Sequence, residues 1–404
     1  MQIKSSIVAL GVASLLGATT FAAPCRAGTI NVNTTVDTLN GPNCSLRSSL
    51  FAAYFHSSSG GCTGGTAGHN EVKLPAGTYK LTLTDGSGNI LPLTALNDVT
   101  ITGTNGASST FIDGNGVKGV FSVYYNSALS GLKIQGARSA NAGGAINVQN
   151  GQFVSITSCD LFDNKATLSG GAVNVGNAAS AYIYDSYIHQ NYADSFGGGL
   201  VTSANSWLQM DNTTISNNQA GSQGGGIILG GSGELNQCSI GNNQANTNGG
   251  GIYQTGGVVD ILSTTVAFNK LGANGNGPGI YAQAGIMHLA RTAVTDNTAG
   301  AAAADCMGTI ISYGRNFIPY RPASCTITFE AGATGDLING HGSSGLGVLG
   351  STSRSTPFYL PAYYPSSTSV LLEKASGTPY TFDQLGHSRN PDGNNTQEIG
   401  AIER

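Results

Sequence analysis

The chain is short of charge. Only 9% of its 404 residues are Asp, Glu, Lys or Arg, the formal net charge is −4, and the 17 basic residues never gather into a run. This excludes the electrostatic footprint of a surface for nucleic acid or an anionic membrane, so no nucleic-acid partner is expected. Long apolar runs are also missing. Beyond residue 27 none reaches the ~18 residues a membrane-crossing helix needs, which predicts no transmembrane segment. Aromatic residues make up 7%, with one tryptophan, and the central half of the chain carries no apolar stripe at helical spacing. A helical bundle is thereby excluded.

What the chain has in excess is glycine, 60 residues, and an internal repeat. Asn164, Asn191, Asn218, Asn243, Asn269 and Asn297 head six copies of one phrase, spaced 27, 27, 25, 26 and 28 residues apart, and glycine clusters follow all but the last. A fixed period in this range marks stacked repeats. Three residues before each asparagine stand Leu161, Ile188, Ile215, Ile240, Val266 and Val294, and five before it small residues from Cys159 to Thr292. These two positions share parity and face one side of a strand, whereas positions two, four and six face the other. One coil cannot bury its apolar column, but coils stacked every ~4.8 Å close a dry core.

The expected fold is therefore all-β: a right-handed parallel β-helix, a solenoid with rungs of about 25–28 residues. Glycines such as Gly197-Gly198-Gly199 would sit at corners, where a positive φ is cheap. The lead asparagine is expected at a corner too, since it tolerates the left-handed region and its amide can bond to the next rung. Four segments are expected: a leader over 1–27, a cap and first strands over 28–98, the solenoid over 99–305, and last rungs with an irregular C-terminal strap over 306–404.

Residues 1–27 combine an early lysine, an apolar run from Ile7 to Ala18 and small residues before Gly28, the pattern of a secretory signal peptide cut after Ala22 or Ala27. Export follows as the expected localisation, outside the cell or on its outer surface, with the periplasm as the other compartment. If Cys25 leaves with the leader, six cysteines remain. Cys159 and Cys238 share a column three rungs apart, about 14 Å, too far for a disulfide and suited to buried filler. Cys44 with Cys62, and Cys306 with Cys325, each close a loop of about twenty residues and are the expected disulfides. Ser45 can cap a helix in which Leu46, Leu50 and Ala53 share a face, and such a helix would cover the open N-terminal end. Past Asp305 the period stops, and Pro319, Pro322, Pro357, Pro361 and Pro365 exclude a long central strand.

The stretch Cys44-Ser45-Leu46-Arg47 resembles the N-terminal signature of exported bacterial β-helix proteins named for a Cys-Ser-Leu-Arg-Glu-Ala motif, with Ser48-Ser49 in place of Glu-Ala. The end, from Asp383-Gln384-Leu385-Gly386 through Pro391-Asp392-Gly393 to Glu398-Ile399-Gly400-Ala401, resembles the closing signature of the same group, the choice-of-anchor Q type. The glycine-rich rungs are similar to those of polymorphic outer-membrane proteins. The resemblance implies fold and export, and it implies no particular activity. Gly340-His341-Gly342 resembles a tripeptide of polygalacturonase-like hydrolases, but the paired aspartates and the Arg-x-Lys motif that accompany it there are absent, and a turn is the expected role.

Cleaving a polysaccharide needs paired carboxylates, or a calcium ion held by several, on adjacent rungs. Just before the lead asparagines, Asp163 and Asp296 are the two acids, about 24 Å apart. Asp260 and Asp305 are expected to find no acid at the equivalent place in the neighbouring rung. No cofactor, no metal and a monomer are expected on this reading. One outward patch changes character: Asp160 and Phe162 beside Asp185, Tyr187 and His189, where later rungs carry Asn212, Thr214, Ser216, Gln237, Ser239 and Gly241. Rings for stacking and carboxylates for hydroxyl groups suit a glycan. The expected function is a non-enzymatic binding or adhesion module for glycans or surface polymers, using this shelf. The alternatives are a polysaccharide lyase or hydrolase acting at Asp160, Asp185 and His189, and a structural envelope component.

Overall fold

The computed structural model describes residues 28–89, 91–93, 96–340 and 344–346. The expected leader, most of the strap, the closing signature, and His341 and Gly342 of the expected turn lie outside these residues.

Period-two alternation builds each rung. In Ser180–Tyr184 the side chains of Ala181 and Ile183 point inward while Ser180, Tyr182 and Tyr184 face out. One rung runs through Val173–Val175, Ser180–Tyr184, Tyr187–His189 and Tyr192–Ala193. Each strand pairs in parallel with its counterpart one rung on, Ile183 with Met210, Ile188 with Ile215 and Ala193 with Ala220. Among the described residues the strands collect into sheets of 19, 11 and 8. The chain is thus a right-handed parallel β-helix with a single helix among its described elements. We call the outer face of Ser180–Tyr184 and its equivalents the long wall, and that of Tyr187–His189 and its equivalents the side wall. Inside, Ile156, Ile183, Met210, Leu235, Ile261 and Leu289 form a fully buried column, each side chain contributing about 1.5–3 kcal/mol by leaving water.

The corners differ from the sequence expectation in one respect. The left-handed residue is the one before each lead asparagine: Asp163, Gln190, Asn217, Asn242, Phe268 and Asp296 have φ between 47° and 59°. The asparagine itself turns inward. Asn191 Nδ2 donates to Leu161 O and Asn218 Oδ1, and Asn191 N donates to the same Oδ1. Asn164, Asn218, Asn243 and Asn269 repeat the arrangement. A corner would otherwise leave buried amides and carbonyls unpaired, and the side-chain ladder satisfies them. At the glycine corner Gly197 has φ 60°, and a Cβ on Gly198 would lie 2.4 Å from Gly225 O.

The ladder ends on an acid. Asn297 N and Nδ2 both donate to Asp305 Oδ1, and Tyr320 N donates to Oδ2. Burial pushes the Asp305 carboxyl up to about 7 against the pull of the Asn297 side chain and of the Tyr320 and Asn297 amides, and the charge of Asp296 adds to the rise. Between 3.8, the ordinary value, and about 7, the folded chain keeps a proton that the unfolded chain has released. Stability is thus greatest at the acid end of this window and falls as pH rises through it. Asp305→Asn is expected to flatten the fall. Thermal unfolding followed across the window checks this, and equal slopes for variant and wild type would refute it.

The N-terminal end is closed by the helix Leu46–Phe55. Ser48 N donates to Ser45 Oγ at its start, Leu46 and Leu50 enter the core, and disulfides join Cys44 to Cys62 and Cys306 to Cys325. Cys159 and Cys238 are buried thiols.

Candidate functional site

The two walls meet along a second left-handed corner made by Ser158, Asp185, Asn212, Gln237, Ser263 and Arg291. This places Asp185 on the edge between the walls and not on the side-wall strand with Asp160, whose partner in register is Tyr187. The rest of the expected shelf does come together. Asp160 Oδ1 accepts from His189 Nε2 at 2.8 Å. Its Oδ2 lies 3.1 Å from Lys133 Nζ, and that ammonium sits 4.4 Å from the centre of the Phe162 ring. His189 stacks on Tyr187 at 3.7 Å and has Phe162 at 4.8 Å, while the Tyr187 hydroxyl reaches Ser216. Burial raises the Tyr187 pKa, eased by the Ser216 bond and reinforced by the Asp160 charge.

Lys133 and Ser216 were not singled out from the sequence. Lys133 lies in an irregular rung before the first clean repeat, where no column alignment reaches it. The Asp160 and His189 side chains are only 16% and 13% exposed, and parallel stacking turns the rings toward one another. The shelf presents ring edges and an already partnered carboxylate. The Arg138 guanidinium is held on Asp163.

The long wall is richer. Its three outward columns read Ser180, Tyr182, Tyr184; then Trp207, Gln209, Asp211; then Ser232, Glu234, Asn236. Asp260 stands in register with Glu234, and His288 with Asp260. The expectation that Asp260 has no acidic neighbour is thus wrong. Positions two, four and six before the asparagine do not reach these acids, because Glu234 and Asp260 both stand nine before it, on the preceding strand.

Aromatic residues flank the acids. Trp207 is 38% exposed. Phe153 and Tyr182 lie 5.1 Å apart, and Tyr182 and Tyr184 6.4 Å. At the far end Tyr313 stacks on His288, whose Nδ1 is 2.6 Å from Asp260 Oδ1. In the middle, Asn236 Nδ2 donates to Asp211 Oδ1 at 2.8 Å and to Glu234 Oε1 at 2.7 Å, and Gln209 Nε2 donates to Asp211 Oδ2. Burial raises the Asp211 carboxyl despite the Asn236 and Gln209 bonds, and the negative charge of Asp185 pushes the same way. Burial likewise pushes Tyr184 up to about 12, with Asp211, Tyr182 and Glu234 adding to it.

Two other features complete the survey. Among the described residues no three His, Cys, Asp or Glu side chains converge as ligands for a metal ion. A groove of about 830 Å³ between the helix and the first rungs is lined by Phe51, Tyr54, Tyr124 and Tyr125 among others. Its Arg47 is already bonded to Asp37 and to the Leu91 and Pro92 carbonyls.

Fold and walls together define a parallel β-helix protein with a mixed aromatic and acidic outer face. No family model matches the chain, and no curated protein does. Among solved structures it is similar to the pectate lyase Pel9A, with a TM-score of 0.44 and 14% identity over 83% of this chain and 88% of that one.

Proposed function

We propose that the chain is an exported protein that binds a polysaccharide lengthwise along the long wall, with the corner residue Asp185 and the shelf of Asp160, Phe162, Tyr187 and His189 at its margin. The observation that carries this reading is the exposed Trp207 among Tyr182, Tyr184, Asp211 and Glu234 on consecutive rungs. An indole in that position offers a sugar an apolar face, and the carboxylates and amides beside it accept from and donate to hydroxyl groups. Rungs ~4.8 Å apart repeat such contacts along one axis, as an extended polymer requires. The two disulfides and the leader pattern support export, since such bonds persist in oxidising compartments.

Affinity electrophoresis in gels holding soluble polysaccharides provides the test. Trp207→Ala is expected to weaken binding at least about tenfold, as expected for loss of one buried aromatic contact. Asp160→Ala, at the margin, is expected to weaken it less. Equal retardation of the Trp207 variant and the wild type would refute the long wall as the binding face.

A further inference from the structure

We propose that Asp211 and Glu234 form a glycoside-cleaving pair that hydrolyses a neutral polysaccharide lying on the long wall. The inference deepens the binding reading above and rests on it. Both carboxylates bond to the one Asn236 amide nitrogen, at 2.8 and 2.7 Å, so their bonded oxygens lie no farther apart than the sum of those distances, about 5.5 Å. Hydrolysis through a covalent intermediate uses carboxyl groups about 5–5.5 Å apart and direct attack by water about 6.5–9.5 Å, and the shared amide keeps this pair on the close side of that divide.

Asn236 itself points to something further. It is 3% exposed and projects between the two acids, yet its Oδ1 has no hydrogen-bond partner among the described residues. A buried amide is normally satisfied at both ends, and here one end is left over beside the pair. The neighbours fit as well. Tyr184 lies beside Asp211 on the preceding rung, Trp207 stands at the other end of the Asp211 strand with Gln209 between them, and the hydrogen-bonded Asp260 and His288 continue the wall beyond Glu234.

The roles follow from the surroundings. Burial raises the Asp211 carboxyl above its ordinary value, the direction that suits a general acid. Its carboxyl gives a proton to the glycosidic oxygen as the bond from that oxygen to the anomeric carbon breaks. A Glu234 oxygen bonds to the same carbon and forms a glycosyl ester. Water then attacks the anomeric carbon, the ester bond breaks, and the proton of that water returns to Asp211. One water is consumed for each bond cut, and both carboxyls are restored.

Charge selects the substrate class. The three outward columns of these rungs hold Asp211, Glu234 and Asp260 and no Lys or Arg, and Asp185 stands at the corner. The nearest cation on that corner, Arg291, has its Nε on Ser263. A polyanion would meet repulsion here, and a neutral chain would not.

The test incubates the full-length chain with mixed-linkage β-glucan, xylan, galactomannan and polygalacturonate, each examined for binding and for released reducing ends. The expected result is cleavage of at least one neutral polymer, with the anomeric configuration retained in the first product seen by proton NMR. Glu234→Gln is expected to lower the rate about 10³-fold and Asp211→Asn about 10²–10⁴-fold, with rates compared at saturating polymer so that a change in binding or melting does not enter the comparison. Binding without reducing ends would overturn the inference and leave the binding reading standing. Cleavage that survives both substitutions, or cleavage of polygalacturonate alone, would overturn it too. Absence of binding to all four polymers would remove both readings together.

Discussion

Asn218→Ala is expected to cost the solenoid about 3–5 kcal/mol, because each buried group left unpaired costs about 1–3 kcal/mol. Asn218 Nδ2 donates to Ile188 O and Asn243 Oδ1, and its Oδ1 accepts from Asn191 N and Nδ2. Truncation strips all four bonds at a point with 1% exposure, where water cannot enter without parting the rungs. A solenoid transmits stability through nearest-neighbour contacts, so a fault in the middle also uncouples the two halves. Two calorimetric transitions are expected in place of one, with hydrogen exchange accelerating first at the corners beside Asn191 and Asn243. Asn218→Asp is expected to fare no better, because a carboxylate there would face the Ile188 carbonyl with no hydrogen to offer. A single transition near the wild-type midpoint for Asn218→Ala would show that the ladder follows the corners and does not hold them.

Arg47→Ala is the second large effect, about 3–5 kcal/mol by the usual cost of leaving a buried charge without its partner. The guanidinium donates to both Asp37 oxygens and to the carbonyls of Leu91 and Pro92, with only 3% and 2% of the Arg47 and Asp37 side chains exposed. Burial opposes ionisation of Asp37, but the Arg47 bonds and the Leu83 and Thr82 amides more than offset it and hold the carboxyl below its ordinary 3.8. A depressed carboxylate contributes stability that is present above 3.8 and lost as pH falls through its folded value. In Arg47→Ala burial is left facing the two amides alone, so this acid-side loss is expected to shrink or reverse. Arg47→Lys keeps the charge without the fork and should fall between the two. Melting curves between about pH 3 and 6 check both magnitude and sign, and an unchanged midpoint in Arg47→Ala would mean that the cap is held by the Cys44 to Cys62 disulfide alone.

Much of this architecture was legible because a repeated coil writes each structural requirement six times. The inward columns, the glycine corners and the lack of any long helical stripe pointed to the parallel β-helix, and loop length together with column position sorted the cysteines. The Cys-Ser-Leu-Arg stretch acquires a role residue by residue: disulfide, helix cap, core contact and buried ion pair. Ser48, which follows, is fully buried with its hydroxyl within hydrogen-bond reach of the Thr38 and Leu39 carbonyls.

What stayed hidden has physical causes. Which of two adjacent residues takes the left-handed corner and which turns inward depends on φ, and Asp163-Asn164 or Asn217-Asn218 offers no compositional cue to the choice. Lys133 escaped because its rung is irregular. The acids of the long wall escaped because the strand Ser180–Tyr184 lies on the far side of a corner from Tyr187–His189, and outward columns counted on one strand do not sample the other. Asp185 was placed with Asp160 for the same reason, since a strict two-residue count ignores the bend that its own backbone makes.

The asparagine ladder separates two kinds of information that most folds entangle. Inside, each rung is asked for the same kinds of residue, large and apolar in one column, small in another and asparagine at the corner. Outside, a position on either wall answers to no neighbour in the core, so a wall can be rewritten one rung at a time while the frame stays constant. Trp207 and Glu234 stand on consecutive strands of an otherwise plain succession of rungs, much as movable type stands in a fixed line. A lineage that duplicates or deletes a whole rung changes the length of such a line without disturbing its spacing.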